Sequence, residues 1–392
     1  MSAPQAWHLI TCEYPPQIGG VAAYSQQVAA ALVRAGEAVH VWGPGHEGDQ
    51  TGPDGVVVHR RLGSFSLRDC VRTGRALDAF ARRRLFVQWV PHGYGWKSMN
   101  LPFAAWLAWR ARVRGDDLHV MVHEPYMRVT WPPSHVVAAS VEKVMLWLIG
   151  RAASHVWIST PSWEPFVRRY TRRQTPLAWL AIPAPDGVPA HAPDAPEAAT
   201  PAPVIGHFST HSPVVTAMLG PALAAALRTT SEATALLMGR DGDRYRDQFV
   251  RHYPDLAGRV MATGVLDIGS VVSRMRECAI MLQPFPDGIT ARNTSMLLAL
   301  AAGACVASNT GPLTEALWAA QPAVALADGV DPARLAAVTN ALLADRPRRL
   351  ALGAAARRLY AEQFDISRSA AVLAGSVRAD TPGAPRASHA EA

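Results

Sequence analysis

Residues 281–311, MLQPFPDGITARNTSMLLALAAGACVASNTG, concentrate the side chains best suited to hold a phosphorylated, hydroxyl-rich ligand. Residues 281–285 form an apolar run that ends at a proline, the pattern of a short buried strand. The loop behind it carries Asp287, Gly288, Ile289, Thr290, Arg292 and Asn293, and Thr294 and Ser295 stand where an Ala/Leu-rich helix begins. Gly303 closes that helix, and residues 305–308 resume an apolar strand. In a parallel α/β sheet, ligands sit in the loops after the carboxyl ends of strands. The unpaired N–H groups at the start of the next helix favour an anion. A carboxylate for hydroxyls, an arginine and a phosphate-ready helix start therefore lie within nine residues, the equipment needed for a nucleotide-sugar.

Other segments offer weaker chemistry, and each has a competing structural reading. EYPPQIGG, residues 13–20, lies between an apolar run and a helical one. Gly19 and Gly20 let a phosphate or sugar approach the backbone and leave the helix start bare, with Tyr14 beside them; the competing reading is a tight strand-to-helix turn. The segment lacks GxGxxG and a ribose-binding acid at the usual distance, which disfavours nicotinamide. LHVMVHEPYMR places His123 and Glu124 at a strand's carboxyl end, where a histidine either orients a sugar hydroxyl or is satisfied locally. VPHGYGW places His92 and Tyr94 at the end of the preceding strand, bordering the same edge. In STHS, Ser209 and His211 either meet phosphate oxygens or form a polar loop.

The elements that must position these groups alternate. Strand-like runs cover 7–12, 38–42, 56–59, 85–90, 118–123, 155–159 and 177–182, with helical patterns at 21–35, 67–83, 104–114 and 136–152. After residue 203 the alternation restarts: strands at 204–208, 233–238, 259–263, 281–285, 305–308 and 322–326, and helices at 214–229, 244–252, 268–277 and 332–364, the last broken near Pro347. Strands alternating with helices predict parallel sheets covered on both faces. The expected organisation is an N-terminal α/β domain over 1–185, a Pro/Ala-rich linker over 186–203, a second α/β domain over 204–365, a helix over 366–379 that packs back on the first domain, and a disordered tail over 380–392.

Composition sets bounds. With 392 residues, 49% hydrophobic and 18% charged, the chain is long enough for two cores and is ordinary globular material. It holds no apolar run of spanning length and no secretory pattern at its start, so a cytoplasmic protein is expected. Cys12, Cys70, Cys278 and Cys305 lack metal or redox spacing and read as buried free thiols. The net charge of +7 is uneven: residues 1–185 hold 20 Lys+Arg against 12 Asp+Glu, leaving the remainder slightly acidic. A basic first half suits a phosphorylated or lipid-linked partner, or a peripheral contact with the inner face of an anionic membrane. Phe103, Trp106, Leu107 and Trp109 beside Arg110, Arg112 and Arg114 fit such a contact, and fit equally a core-facing helix with a basic end. No nucleic-acid-binding module accompanies the basic runs.

Together these segments resemble the retaining glycosyltransferases of family 4, over about residues 5–375. The resemblance rests on YPPQIGGVAAYSQQVAAAL, VHEP, LLMGRDGDRY and PFPDG…TSMLLALAAGACVASNTGPLTEAL. It implies a GT-B fold, two doubly wound Rossmann-like domains facing across a cleft. It also implies a hexosyl transfer from a nucleoside-diphosphate sugar to a saccharide, lipid-linked or small-molecule hydroxyl, with retention of configuration and no metal or other cofactor. Gly19, Gly20, Ser209, His211, Gly239 and residues 287–290 and 292–295 then bind the donor; Tyr14, His92, Tyr94 and Glu124 meet the acceptor; His123, Asp287 and Arg292 act in catalysis. The chain departs from the family pattern in two places. Asp287 falls near the first of two customary glutamates and Leu298 at the second, and HFSTHSP stands where an arginine and a lysine are usual. Arg292 and the helix start would then take over charge neutralisation. A nucleotide-sugar epimerase or hydrolase, and a non-catalytic binding relative, are the alternatives.

Overall fold

The computed structural model describes residues 6–95, 99–127, 133–188 and 202–380. The expected linker falls mostly outside these residues, as does the expected disordered tail. The chain forms two compact units, one of residues 1–182 and 366–392, the other of residues 183–365.

The strands of unit 1 are β1 (Ala6–Ile10), β2 (Val39–Gly43), β3 (Gly48–Thr51), β4 (Val57–Arg60), β5 (Arg83–Trp89), β6 (Asp117–Val122), β7 (His155–Ile158) and β8 (Leu177–Trp179). They lie in the order β3-β4-β2-β1-β5-β6-β7-β8. Each neighbouring pair is parallel except β3 with β4, an antiparallel edge hairpin of polar residues that the apolar pattern does not announce. Its helices are α1 (Gly20–Arg34), α2 (Leu67–Leu77), α3 (Leu101–Val113), α4 (Pro133–Ala152) and α5 (Glu164–Val167), and the chain's last, α13 (Ile366–Asp380). The last returns to pack on α1, placing Ala370 and Leu373 in the same core as Trp7, Leu9, Val28 and Phe86.

Unit 2 is a six-stranded parallel sheet of β9 (Val204–Phe208), β10 (Thr234–Met238), β11 (Val260–Gly264), β12 (Ile280–Leu282), β13 (Val306–Asn309) and β14 (Ala325–Ala327), ordered β11-β10-β9-β12-β13-β14. Its helices are α6 (Pro213–Thr229), α7 (Gly242–His252), α8 (Ile268–Glu277), α9 (Thr294–Ala302), α10 (Leu317–Ala320), α11 (Pro332–Ala344) and α12 (Arg346–Leu359). Helix α9 buries seven of its nine residues, Met296 to Ala302. That explains its uniformly apolar sequence: it has no solvent face to mark with charge. Gly303, at φ 73°, ends it in the left-handed region.

Two sequence expectations change. The helix expected over 67–83 stops at Leu77, and strand β5 begins at Arg83. Arg84 is buried, with its guanidinium 4.5 Å over the Trp7 ring and 3.5 Å from Asp117. Arg83 and Arg110 both bond the buried carboxylate of Asp116 at 2.5 Å, and Arg110 also pairs with Asp78 at 2.9 Å. These three arginines are therefore structural, and the basic excess of the first half resides in others. Of the aromatic run on α3, Phe103, Trp106 and Leu107 are core residues and only Trp109 faces outward.

Candidate functional site

In unit 2 the sheet reverses direction of growth at β9, whose neighbours are β10 and β12. The loops after β9 and β12 therefore leave adjacent strands and diverge, which opens the crevice where doubly wound sheets bind ligands. Both loops are built by specific hydrogen bonds. His207 Nδ1 lies 2.7 Å from the Leu282 carbonyl, so that nitrogen carries the proton. Its Nε2 then accepts from the Ser209 hydroxyl at 2.8 Å, and the same hydroxyl oxygen accepts the His211 N–H at 2.9 Å. Ser209, expected at a phosphate, is engaged at both ends in shaping its own loop.

His211 donates from Nδ1 to the Arg240 carbonyl at 2.9 Å and stacks on Tyr245. Burial holds its imidazole below the usual histidine pKa, so Nε2 stays a lone-pair acceptor. A neutral acceptor suits a ligand N–H or O–H better than a phosphate oxygen. Gly239, at φ 104°, packs against the Ser209 carbonyl, where any Cβ would clash.

The loop after β12 is held from beneath. Asn309, at the end of β13, accepts the Phe285 N–H and donates to the Phe285 carbonyl, both at 2.9 Å. Asp287 and Gly288 turn tightly over Gly311. The Leu313 N–H donates to the Asp287 carbonyl at 3.0 Å, and a side chain at Gly288 or Gly311 would run into backbone. The Asn293 side chain accepts from the Thr290 N–H and hydroxyl at 2.6 and 2.9 Å, closing the turn, and so does not cap the helix itself.

The Asn293 carbonyl accepts the Met296 and Leu297 N–H groups. The N–H groups of Thr294 and Ser295 precede the first N–H bonded within the helix, that of Met296, so the helix offers them no acceptor of its own. Thr294 is exposed, and Arg292 and Asp287 in the loop before it are half-buried.

Glu315 was missed by sequence reasoning. Its buried carboxylate accepts the Ala291 N–H at 3.0 Å and the Trp318 indole N–H at 2.7 Å, anchoring the loop between Thr290 and Arg292 from below. It stands in the quoted block as PLTEAL, but only the fold shows which N–H lies opposite.

In unit 1 the corresponding reversal falls between β1 and β5. Here the sequence reading needs correction. The start of α1 is not bare: Glu13 Oε1 accepts the Val21 and Ala22 N–H groups at 2.9 and 3.0 Å. Gly19 has extended backbone; its missing Cβ makes room for that carboxylate. An internal anion thus fills the place expected to take a phosphate near Gly19 and Gly20.

Tyr94 is fully buried against Trp89 and Phe103, and its hydroxyl donates to the Gln88 carbonyl at 2.5 Å, so it belongs to the core rather than to an acceptor surface. Tyr14 is also buried, which pushes its phenol up to about 12. His92 is exposed.

His123 sits at the carboxyl end of β6, hydrogen-bonded through Nε2 to Gln88 Oε1 at 2.9 Å and packed edge-on against Tyr24. Glu142, from α4, is fully buried; its Oε2 accepts the Met127 N–H at 2.7 Å. Burial raises its carboxyl pKa, the Met127 N–H and the charge of His92 oppose that rise, and Glu124 adds to it. His92, Glu124 and Glu142 therefore share one electrostatic neighbourhood, and Glu142 had no sequence signal beyond a single acid in an apolar helix.

One group of possible metal ligands occurs among the described residues: Asp117, His119 and His155, with ligand atoms within 4.8 Å of one another. His119 is already held by its neighbours: its Nδ1 accepts the Trp157 indole N–H at 3.3 Å and its Nε2 lies 3.2 Å from Asp117.

No known family profile matches the chain, and no curated protein matches it in sequence. Solved structures match its fold. A sucrose-phosphate synthase from Thermosynechococcus elongatus superposes with a TM-score of 0.70 at 18% identity, over 95% of this chain and 98% of that one. WaaG, a glycosyltransferase involved in lipopolysaccharide biosynthesis, gives 0.65 at 14% identity over 94% and 100%. Anabaena HepE, solved in complex with UDP and glucose, gives 0.62 at 16% identity over 95% and 99%. The chain has the GT-B fold of these proteins, with two parallel-sheet α/β units.

Proposed function

We propose that this protein transfers a sugar from a nucleoside-diphosphate sugar to a hydroxyl acceptor, with retention of configuration and without a metal. The observation that carries the reading is the loop between β12 and α9. It stands at the strand-order reversal of unit 2, and it presents the Thr294 and Ser295 N–H groups beside Arg292. The leaving diphosphate gains negative charge as the glycosidic bond breaks, and stabilising that charge is the main catalytic demand. The positive end of α9 and a charge-assisted bond from Arg292 meet it. Asp287 holds sugar hydroxyls, His211 Nε2 accepts a ligand N–H or O–H, and the departing phosphate takes the acceptor's proton. His123 positions the sugar or acceptor, with His92 and Glu124 nearby. That HepE was solved with UDP and glucose supports the donor class.

For the acceptor, a lipid-linked hydroxyl is favoured by exposed apolar side chains on the adjacent helices α3 and α4. Trp109 and Val113 are 47% and 66% exposed, and Val137, Val144 and Trp147 are 58%, 47% and 45% exposed. No helix among the described residues is long and apolar enough to cross a membrane, so such a contact would be peripheral.

A thermal-shift screen against UDP, GDP, ADP, dTDP and CDP and their sugars tests the reading, followed by turnover of Arg292→Ala with the donor so identified. Binding to the folded state raises the melting temperature. A shift with one nucleotide and a loss of about 100-fold in turnover are expected. No shift with any nucleotide, or near-normal turnover of the variant, refutes the assignment.

A further inference from the structure

Helix α9 has a second end. Past Ala302 and Gly303, at the amino edge of the unit 2 sheet, lies a cavity of about 470 Å³. Cys278 and Cys305, which precede β12 and β13, form part of its floor. Four arginines line it, Arg276, Arg349, Arg357 and Arg358, and no carboxylate does. Its volume falls within the range of roughly 300–1,000 Å³ typical of small-molecule sites.

These arginines also meet the ends of the surrounding helices. Arg276 Nε donates to the Ala302 carbonyl at 3.3 Å, and Arg357 lies over Gly303, where a Cβ would touch its guanidinium. Two cations thus converge on one helix carboxyl end. Gly353 permits this by letting α12 approach the Gly303 carbonyl closely; any side chain there would clash. Arg349 Nη1 donates to the Leu342 and Leu343 carbonyls at 2.8 Å, capping α11. The arginines feel one another: burial and the neighbouring Arg357 both depress the Arg276 pKa. Guanidinium groups of this kind match the oxygens of a phosphate two at a time.

We propose that this cavity binds a phosphate-bearing small molecule of about monosaccharide size, at a site separate from the loop after β12. The two sites would occupy opposite ends of α9, about 13 Å apart at 1.5 Å per residue.

The test uses the full chain with inorganic phosphate, pyrophosphate and a hexose 6-phosphate, and free hexose as the uncharged control, read by thermal shift and calorimetry. Arg358 is exposed, so Arg358→Gln should fold normally, which its ligand-free melting temperature verifies. Expected are a melting-temperature rise with the hexose phosphate but not with free hexose, and affinity at least about fivefold weaker in Arg358→Gln and in Arg357→Gln. The same binding should persist in Arg292→Ala and under saturating UDP. Absence of binding by every phosphate overturns the proposal. So does binding that Arg292→Ala abolishes and Arg358→Gln leaves intact, because the anion then sits at the other end of the helix. Failure of the nucleotide screen would not affect this result, since the hexose phosphate is read without a nucleotide.

Discussion

Glu315→Gln is the most discriminating perturbation of the loop after β12, because it changes one atom's chemistry and no volume. The native carboxylate accepts two N–H groups, from Ala291 at 3.0 Å and from the Trp318 indole at 2.7 Å, in a buried position. A glutamine offers one oxygen and one NH₂ group. It can satisfy either donor, but must turn its own N–H groups toward the other. Leaving one buried donor unsatisfied costs about 1–3 kcal/mol. Local opening of the loop should therefore become about 5- to 150-fold more frequent, at about 1.4 kcal/mol per factor of ten. Hydrogen exchange at the Ala291 amide and the Trp318 indole reads this directly, with unit 1 amides as internal reference. Faster exchange at one or both sites, confined to unit 2, is expected. Protection within about twofold of the parent at both would show that Glu315 is not the anchor.

Three further outcomes follow from the same geometry. Glu13→Ala removes the acceptor of the Val21 and Ala22 N–H groups. It should cost about 0.5–2 kcal/mol in denaturant titration, and unchanged stability would mean that solvent serves this helix start equally well. Burial lowers His207 in unit 2 and His8 in unit 1 to about 3, with His211 and His40 the next contributors. Below pH 6.5 the unfolded chain binds protons that the folded chain refuses, so this stability is complete above pH 6.5 and declines as pH falls toward about 3. At pH 5 the loss is about 2 kcal/mol per histidine. His207→Gln should reduce the pH 7-to-5 stability difference of unit 2 by about that amount, and an equal pH dependence in parent and variant would contradict a neutral buried ring. Anionic vesicles should float the protein at low salt and release it at high salt, and Trp109→Ser with Trp147→Ser should weaken flotation; absence of binding at low salt would remove the support for a lipid-linked acceptor.

Local pattern carried far in this chain. Unbroken apolar runs of four or five residues, separated by helical stretches and stopped by Gly and Pro, identify buried parallel strands wherever they stand, and the doubly wound expectation holds in both sheets. The loop between β12 and α9 could be found for the same reason. Strand, turn residues and helix start are contiguous there, so their order in sequence is their order in space. The edge strand β3 went unseen because Gly48–Thr51 is polar, and the groups that Asp49 meets, His59 and Arg61, come opposite it only when the hairpin forms. The end of α2 was misplaced because the residues that receive Arg83 and Arg84 inside the protein, Asp116, Asp117 and Trp7, are distant in the sequence.

Sequence alone thus determined the succession of elements, the sheet class and the position of the donor-type loop, all of which depend on neighbours a few residues apart. Tertiary structure alone decided what the individual polar groups do. Glu13 fills a helix start left open by the sequence reading, Glu315 supports a loop from 24 residues away, Tyr94 turns into the core, and Arg276 of α8 meets three arginines of α12 behind α9. Each outcome rests on which donor, acceptor or charge comes to lie opposite once distant segments pack, and a buried polar group takes its role from that partner.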